Sequence, residues 1–408
     1  MLATLIPLFD DSLRVKAYSL FSQKTNMLRN PSLLGTGARD GAGSIVGLEV
    51  IDSMGIDTIS RDKEIFVSVN NISLFTDIEK QCKEVPRERL VILIDNSVKC
   101  EPMYIDRIKA LKAEGFKMAI RRLTVQDFEP YKPIISLLDY IMLDNKKIDI
   151  SKAKIYFSKV YPNVKLCAIN VETQDIFDDL VKEGGYSLYE GEFYRLPVTK
   201  GLKEVAPLKV NYIELLNMVN DDDFDLTKAA DIIGRDTALV LNLLGIVNKM
   251  SVNSEITSIR HAAAMLGQKE FKKWINTAVT NQLCADKPNE ITRVSLLRAK
   301  FAENMAPFFE MAGQSQELFL LGLFSVLDII LDMPMSDALK KVRVSKQIEK
   351  ALVKGEGEFA DVLKFVTAYE TANWGEIDRI MLLKNIDNDA LFDAYKESLE
   401  WYRDLFRS

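Results

Sequence analysis

Two hydrophobic periods divide the chain. Through residues 1–197 short apolar runs recur: Ala3–Leu8, Val15–Leu20, Ile65–Val69, Leu90–Asp95, Lys117–Ile120, Tyr140–Leu143 and Val164–Ile169. Amphipathic stretches such as Pro102–Glu114 and Thr173–Glu183 separate most of them. Short apolar runs joined by helical segments predict a parallel sheet, and this many of them predict a closed α/β barrel. The first two runs flank only the polar turn Asp10-Asp11-Ser12, so the opening unit reads as a hairpin and its first strand as antiparallel.

From Asn211 onward the strand pattern gives way to helical spacing. Helices are expected over Tyr212–Val219, Leu226–Ile233, Thr237–Val247, Lys269–Leu283, Ser295–Met311, Glu317–Leu331, Phe359–Thr371 and Asp389–Trp401. Asp225 and Asp236 stand directly before two of these runs, as N-caps would. Between the halves, Val198–Pro207 has Gly, Pro and little periodicity and reads as a linker. The expected organisation is therefore a barrel domain at 1–197, a linker at 198–207 and an all-α domain at 208–408.

Composition narrows the chemistry. A net charge of −6 with 27% charged residues argues against bulk electrostatic binding to nucleic acid or to an acidic membrane. The opening MLATLIPLFDDSLR lacks the basic region and cleavage site of a signal peptide, and the apolar run Leu318–Leu331 is too short to span a bilayer. Cys82, Cys100, Cys167 and Cys284 are scattered, as in reduced proteins. The expectation is a cytoplasmic protein without membrane insertion. The single histidine, His261, excludes a histidine-rich metal site and any mechanism that needs two imidazoles. Phe319, Phe324, Trp274, Met333 and Met335 stand at helical spacing and read as core, and Asp221-Asp222-Asp223 lacks the Gly and Glu of a calcium loop.

One stretch stands out chemically. In GFKMAIRRL, Gly115–Leu123, a helix stop leads into an alternating strand whose carboxyl end carries Arg121 and Arg122. That is the end of a barrel strand where chemistry is usually placed.

Several segments in order resemble a known family. LIPLFD with KAYSLFSQ, FVSVN (Phe66–Asn70), YIMLD (Tyr140–Asp144), AINVET (Ala168–Thr173) and YSLYEGEFYRLP (Tyr186–Pro197) resemble EAL domains, the barrels that hydrolyse the bacterial second messenger cyclic di-GMP. RDTALVLNLLGIVN (Arg235–Asn248), EITSIRHAAAMLG (Glu255–Gly267) and ELFLLGLFSVLD (Glu317–Asp328) resemble HDOD domains, relatives of HD phosphohydrolases. The implied fold is an EAL-type TIM-like barrel with an antiparallel first strand, followed by an all-α HDOD domain.

Active EAL domains hold two divalent cations with converging carboxylates and an Asn, and a Lys and a Glu help the attacking water. Carried over by position, the signature Glu falls on Ser19, the phosphate-binding Arg on Gln23 and a metal-binding Glu near Leu93, with Asp95 close by. The paired aspartates fall on Arg121 and Arg122, the catalytic Lys on Met142 and a further Glu on Ile169. Asn70, Asp144 and Glu172 remain. In the helical half the His-Asp metal pair falls on Ser325 and Val326, and Asp328 lies on another face. Guanidinium cannot ligate a metal. The resemblance thus implies no catalytic residues, no metal and no cofactor.

The expected function is a non-catalytic signal-transduction protein acting through protein–protein contacts, with other signalling or motility and pilus proteins as partners and a homodimer consistent with the family. Its mouth would keep a remnant pocket of Asn70, Arg121, Arg122, Asp144 and Glu172. Two readings of the arginines stay open: an internal salt bridge to Asp144 or Glu172, or an anion pocket. The alternatives in function are a cyclic di-GMP receptor without hydrolysis and an enzyme of another type using Asp144 and Glu172.

Overall fold

The computed structural model describes residues 1–26, 28, 44–82, 85–197, 207–221, 223–234, 236–250 and 256–406. Among them, eight strands close into one barrel in sequence order: β1 (Leu2–Phe9), β2 (Val15–Gln23), β3 (Glu64–Ser68), β4 (Leu90–Ile94), β5 (Lys117–Ile120), β6 (Tyr140–Asp144), β7 (Lys165–Val171) and β8 (Leu188–Gly191). β1 runs antiparallel to both neighbours, and every other pair is parallel. Each expected strand is present, within a few residues.

The hairpin is set by Asp10. Its Oδ1 accepts hydrogen bonds from the backbone N–H of Ser12 (2.9 Å) and Arg14 (3.0 Å), and its Oδ2 accepts from Arg14 Nε (2.9 Å). This Asx-type turn lets the five residues 10–14 reverse the chain where the remaining connections need a crossover. Inside the barrel Leu8, Ala17, Phe66, Val91, Leu93, Ala119, Tyr140, Met142, Cys167, Ile169 and Leu188 form one buried cluster. At the amino ends of the parallel strands the cluster is closed by polar groups. Tyr140 donates to Glu64 (2.7 Å), and Glu64 also pairs with Lys117. Burial, and then the bond to Glu64, push the Tyr140 phenol well above its ordinary pKa.

β8 depends on a glycine. A Cβ on Gly191 would lie 1.9 Å from the carbonyl oxygen of Val171, so only Gly lets β8 approach the irregular end of β7. Phe193 then stacks on Phe177 (ring centroids 4.4 Å apart) and meets Phe9 edge-on (5.5 Å), which anchors the closing loop.

The domain boundary expected at 208–408 requires correction. The chain divides into one unit of residues 1–196, 307–310 and 364–408 and a second of 197–306 and 311–363. The C-terminal helices Glu358–Glu370, Trp374–Lys384 and Asn388–Leu405 thus belong, from residue 364 on, with the barrel. The cause lies in the hairpin. A crossover helix covers the outside of each parallel pair, but a two-stranded turn supplies none for β1. Asn388–Leu405 packs against β1 instead. The Ala3 N–H donates to the Tyr369 hydroxyl (3.2 Å), Gln23 Nε2 to Asp378 (2.8 Å) and Asn26 Nδ2 to the Asp378 carbonyl (3.0 Å). Arg195, just beyond β8, pairs with Glu370 (3.0 Å). Of the linker expected at 198–207, residues 198–206 lie outside the described residues.

The second unit is helical. Asp225 and Asp236 accept backbone N–H bonds from the helices they precede, as N-caps. Ile259–Leu283 is continuous apart from Gly267, whose φ of +72° breaks the helical backbone just before the expected segment Lys269–Leu283. The single helix expected over Glu317–Leu331 is two, Ser315–Phe324 and Leu327–Leu331. Ser325 ends the first by donating its hydroxyl to the Gly322 carbonyl (2.7 Å), a local bond that competes with helix continuation.

Candidate functional site at the barrel mouth

Arg121 follows the last residue of β5 and turns inward. Its Nη2 lies 3.2 Å from Glu190 Oε1 on β8, and the Ser19 hydroxyl of β2 donates to the other carboxylate oxygen (2.9 Å). The side chains are 13% and 7% exposed, so this is a nearly buried ion pair. The guanidinium also lies 5.0 Å from the Phe21 ring centroid, a cation–π distance. Arg121 Nη1 is buried and has no hydrogen-bond partner among the described residues.

Arg122 points elsewhere. Its φ of +66° is left-handed, which swings it out of the strand's alternation, and its exposed guanidinium pairs with Asp95 (3.1 Å). The two adjacent arginines therefore serve two different carboxylates. Asp144 and Glu172, the partners in one of the two open readings, are paired with neither arginine among the described residues. Asp144 is buried and accepts from Asn170 Nδ2 (2.8 Å) and from the Lys146 N–H (3.0 Å). Glu172 is on the surface, paired with Lys146 (2.7 Å).

Asn70 shapes a loop. Its Oδ1 accepts from the backbone N–H of Ile72 and Ser73, both at 2.8 Å, and its own N–H donates to Ser73 Oγ (2.9 Å). With its acceptor occupied in this way, Asn70 is a turn residue. The five residues expected as one remnant pocket thus form separate local arrangements. The interior group is Arg121, Glu190 and Ser19, walled by buried Leu93, Met142 and Ile169. Glu190 was not among the expected site residues. The signal for it is an acid in an otherwise buried closing strand, which needs a cation at the same height of the barrel.

Chemically, an apolar ring holding one internal ion pair can orient an arginine and expel water. Among the described residues no group of three His, Cys, Asp or Glu side chains is placed to hold a metal ion. In the helical unit, Ser325 accepts from Arg298 Nη1 (3.1 Å), so an arginine reaches that expected metal-pair position as well. His261 is exposed in the first turn of its helix. Among the described residues no helix is long and apolar enough to cross a membrane.

Comparison with known proteins bears on the helical half first. Residues 205–364 match the HDOD domain family. They are an HDOD domain. Two curated relatives extend across the barrel as well. Cyclic di-GMP phosphodiesterase CdgJ of Vibrio cholerae is 25% identical over 331 residues, 79% of this chain and 75% of its own length. Uncharacterized protein YuxH of Bacillus subtilis is 25% identical over 411 residues, 98% of this chain and 97% of its own length. The N-terminal part is similar to EAL domains. The FimX EAL domain from Pseudomonas aeruginosa, bound to c-di-GMP, covers 48% of this chain and 89% of its own, at 15% identity and TM-score 0.37. The DcpA EAL domain from Mycobacterium smegmatis covers 47% and 89%, at 18% identity and TM-score 0.35. An HDOD domain thus follows an eight-stranded barrel whose first strand is antiparallel.

Proposed function

We propose that this chain is a regulatory protein of cyclic di-GMP signalling that does not hydrolyse the nucleotide and works through contacts with other proteins. Its place in that network is supported by the relative named a cyclic di-GMP phosphodiesterase. The observation that carries the loss of hydrolysis is the upper layer of the barrel. Two-metal hydrolysis needs several converging carboxylates around a close cation pair. At those heights stand Leu93, Met142 and Ile169, all buried, with Arg121 already neutralised by Glu190. A dication placed beside that guanidinium would face repulsion in a low-dielectric site.

A second reading is a receptor that binds cyclic di-GMP without cleaving it. It draws on the buried Nη1 of Arg121, a donor that a phosphate oxygen could accept from. Calorimetric titration of the purified chain with cyclic di-GMP, with and without magnesium, followed by analysis of the nucleotide, separates the readings. No heat and intact nucleotide is the expected result. Heat without cleavage, lost in Arg121→Ala, would move the function to nucleotide sensing. Magnesium-dependent cleavage would overturn the proposal. Partners of the motility, pilus or signalling kind, and a homodimer, are then sought by capture and by sedimentation.

A further inference from the structure

We propose that the HDOD unit holds a groove for an extended segment of another polypeptide, one without net charge. The inference rests on the reading that this chain works through contacts with other proteins, and it gives one such contact a place. A cavity of about 760 Å³ opens in the helical unit, lined by the helix Ile259–Leu283, the helix Ser315–Phe324, the loop 339–345 and the start of the helix Lys346–Lys354. Residues Lys269 to Asn276 form one wall, about 10 Å of helix. About three residues of extended chain span that length.

The charges of the lining cancel. Arg343 pairs with Asp221, Lys273 with Glu303 (2.5 Å), and Lys340 with Asp337 (2.7 Å) from outside the lining. Lys272 donates to the Asp221 carbonyl (3.3 Å) and lies 4.7 Å from the Phe224 ring centroid. Lys269 and Lys272 are balanced in number by Glu317 and Glu349. A lining so balanced selects neither an anion nor a cation, and specificity has to come from its neutral groups.

Those neutral groups are amides and aliphatic side chains. Asn276 is 3% exposed and exchanges two amide hydrogen bonds with Asn220, both at 3.1 Å. Asn276 also donates to the Lys272 carbonyl (3.0 Å), which uses both of its N–H groups. Asn220 keeps one N–H, and each amide oxygen keeps a lone pair. Gln316 adds a third amide, exposed on the rim. A peptide group carries one N–H and one C=O, so it matches a donor and acceptors set side by side. Leu320 and Val344, both half-buried, offer aliphatic surface to its side chains. Other neutral polar ligands lack a platform here. Nucleobases are bound by stacking on aromatic faces, and sugar rings commonly are. The one aromatic in the lining among the described residues, Phe319, is 3% exposed and has Lys273 Nζ 4.9 Å from its ring centroid.

The test selects phage-displayed random heptapeptides on the immobilised full chain and titrates the enriched sequences, synthesised with a dye, by fluorescence polarisation. Enriched peptides are expected to be aliphatic and near neutral, with a Kd below about 100 µM. Val344→Trp and Gln316→Trp narrow the groove from its loop and from its helix, and each should weaken binding about tenfold or more with an unchanged circular dichroism spectrum. No enrichment, strongly charged peptides whose binding fades with salt, displacement by adenosine or glucose, or parental affinity in both folded variants would each overturn the proposal. If partners are still captured from extract by a chain that selects no peptide, the groove fails and the reading of protein contacts stands.

Discussion

Removing Arg121 should damage the barrel far more than removing the arginine beside it. Arg121→Met keeps most of the aliphatic volume but leaves Glu190, 7% exposed, with the Ser19 hydroxyl donating at 2.9 Å and no cation. Breaking a buried pair from one side costs about 3–5 kcal/mol, because the remaining charge stays desolvated. Replacing both members by apolar residues removes the pair and its desolvation together, so Arg121→Met/Glu190→Met should lie within about 1–2 kcal/mol of the parent. Arg122→Met breaks a half-exposed pair with Asp95 and should cost under about 1 kcal/mol. The assay is urea unfolding followed by tryptophan fluorescence. Trp374 and Trp401 belong to the barrel unit and Trp274 to the helical one, so a Trp274→Phe background reports the barrel alone. With a slope near 3 kcal/mol per molar urea, Arg121→Met should lower the midpoint by about 1–1.7 M. A midpoint within about 0.3 M of the parent would refute the buried-pair reasoning. So would a double variant as unstable as the two single losses summed, since contacting charges must couple.

Three further outcomes are expected. Gly191→Ala places a methyl against the Val171 carbonyl and should destabilise the barrel by about 3 kcal/mol or more, read from the same midpoint; an unchanged midpoint would mean β8 can shift. Burial raises the Asp10 carboxyl, but bonds from Arg14 and Ser12 outweigh it and hold its pKa below 3.8 in the folded chain. Its contribution is therefore present above the unfolded value and lost as pH falls through the folded one. Asp10→Asn should cost about 1–2 kcal/mol at pH 7 and progressively less below about pH 4, so a gap that persists undiminished there would be the wrong sign of coupling. Deleting residues 364–408 strips the cover from β1, and the remaining chain should bind hydrophobic dye and aggregate; a monodisperse product would show that the barrel closes without them.

The barrel was legible because its signals are local. The alternation in β1 and β2 and the continuous apolar runs in β4 and β6 each fit within a few residues, and Asp10, Asp225 and Asp236 mark a turn and two helix starts by their own chemistry. What escaped was set by distant partners. Nothing near Asp389 says that the apolar face of its helix covers β1 and not the preceding helices. The pairing of Arg121 with Glu190 spans 69 residues and depends on barrel closure and on Ser19 completing the carboxylate's bonds. Asp144 and Glu172 look alike as acids at strand ends. One is buried by the left-handed turn at Asn170, and the other projects to the surface beside Lys146.

The hydrogen bond from Ala3 to Tyr369 closes a loop of 366 residues. At bacterial or eukaryotic synthesis speeds, the ribosome needs about 20–70 s to travel that distance. During that interval the first strand has been made and its cover has not. The outward side of β1 is apolar, with Ala3 and Leu5 buried in the finished protein. A nascent chain therefore carries an uncovered, unfinished sheet past the synthesis of an entire helical domain. Its final folding step is also its longest-range one, and the yield of native protein in the cell depends on what shields that surface until the last helix arrives.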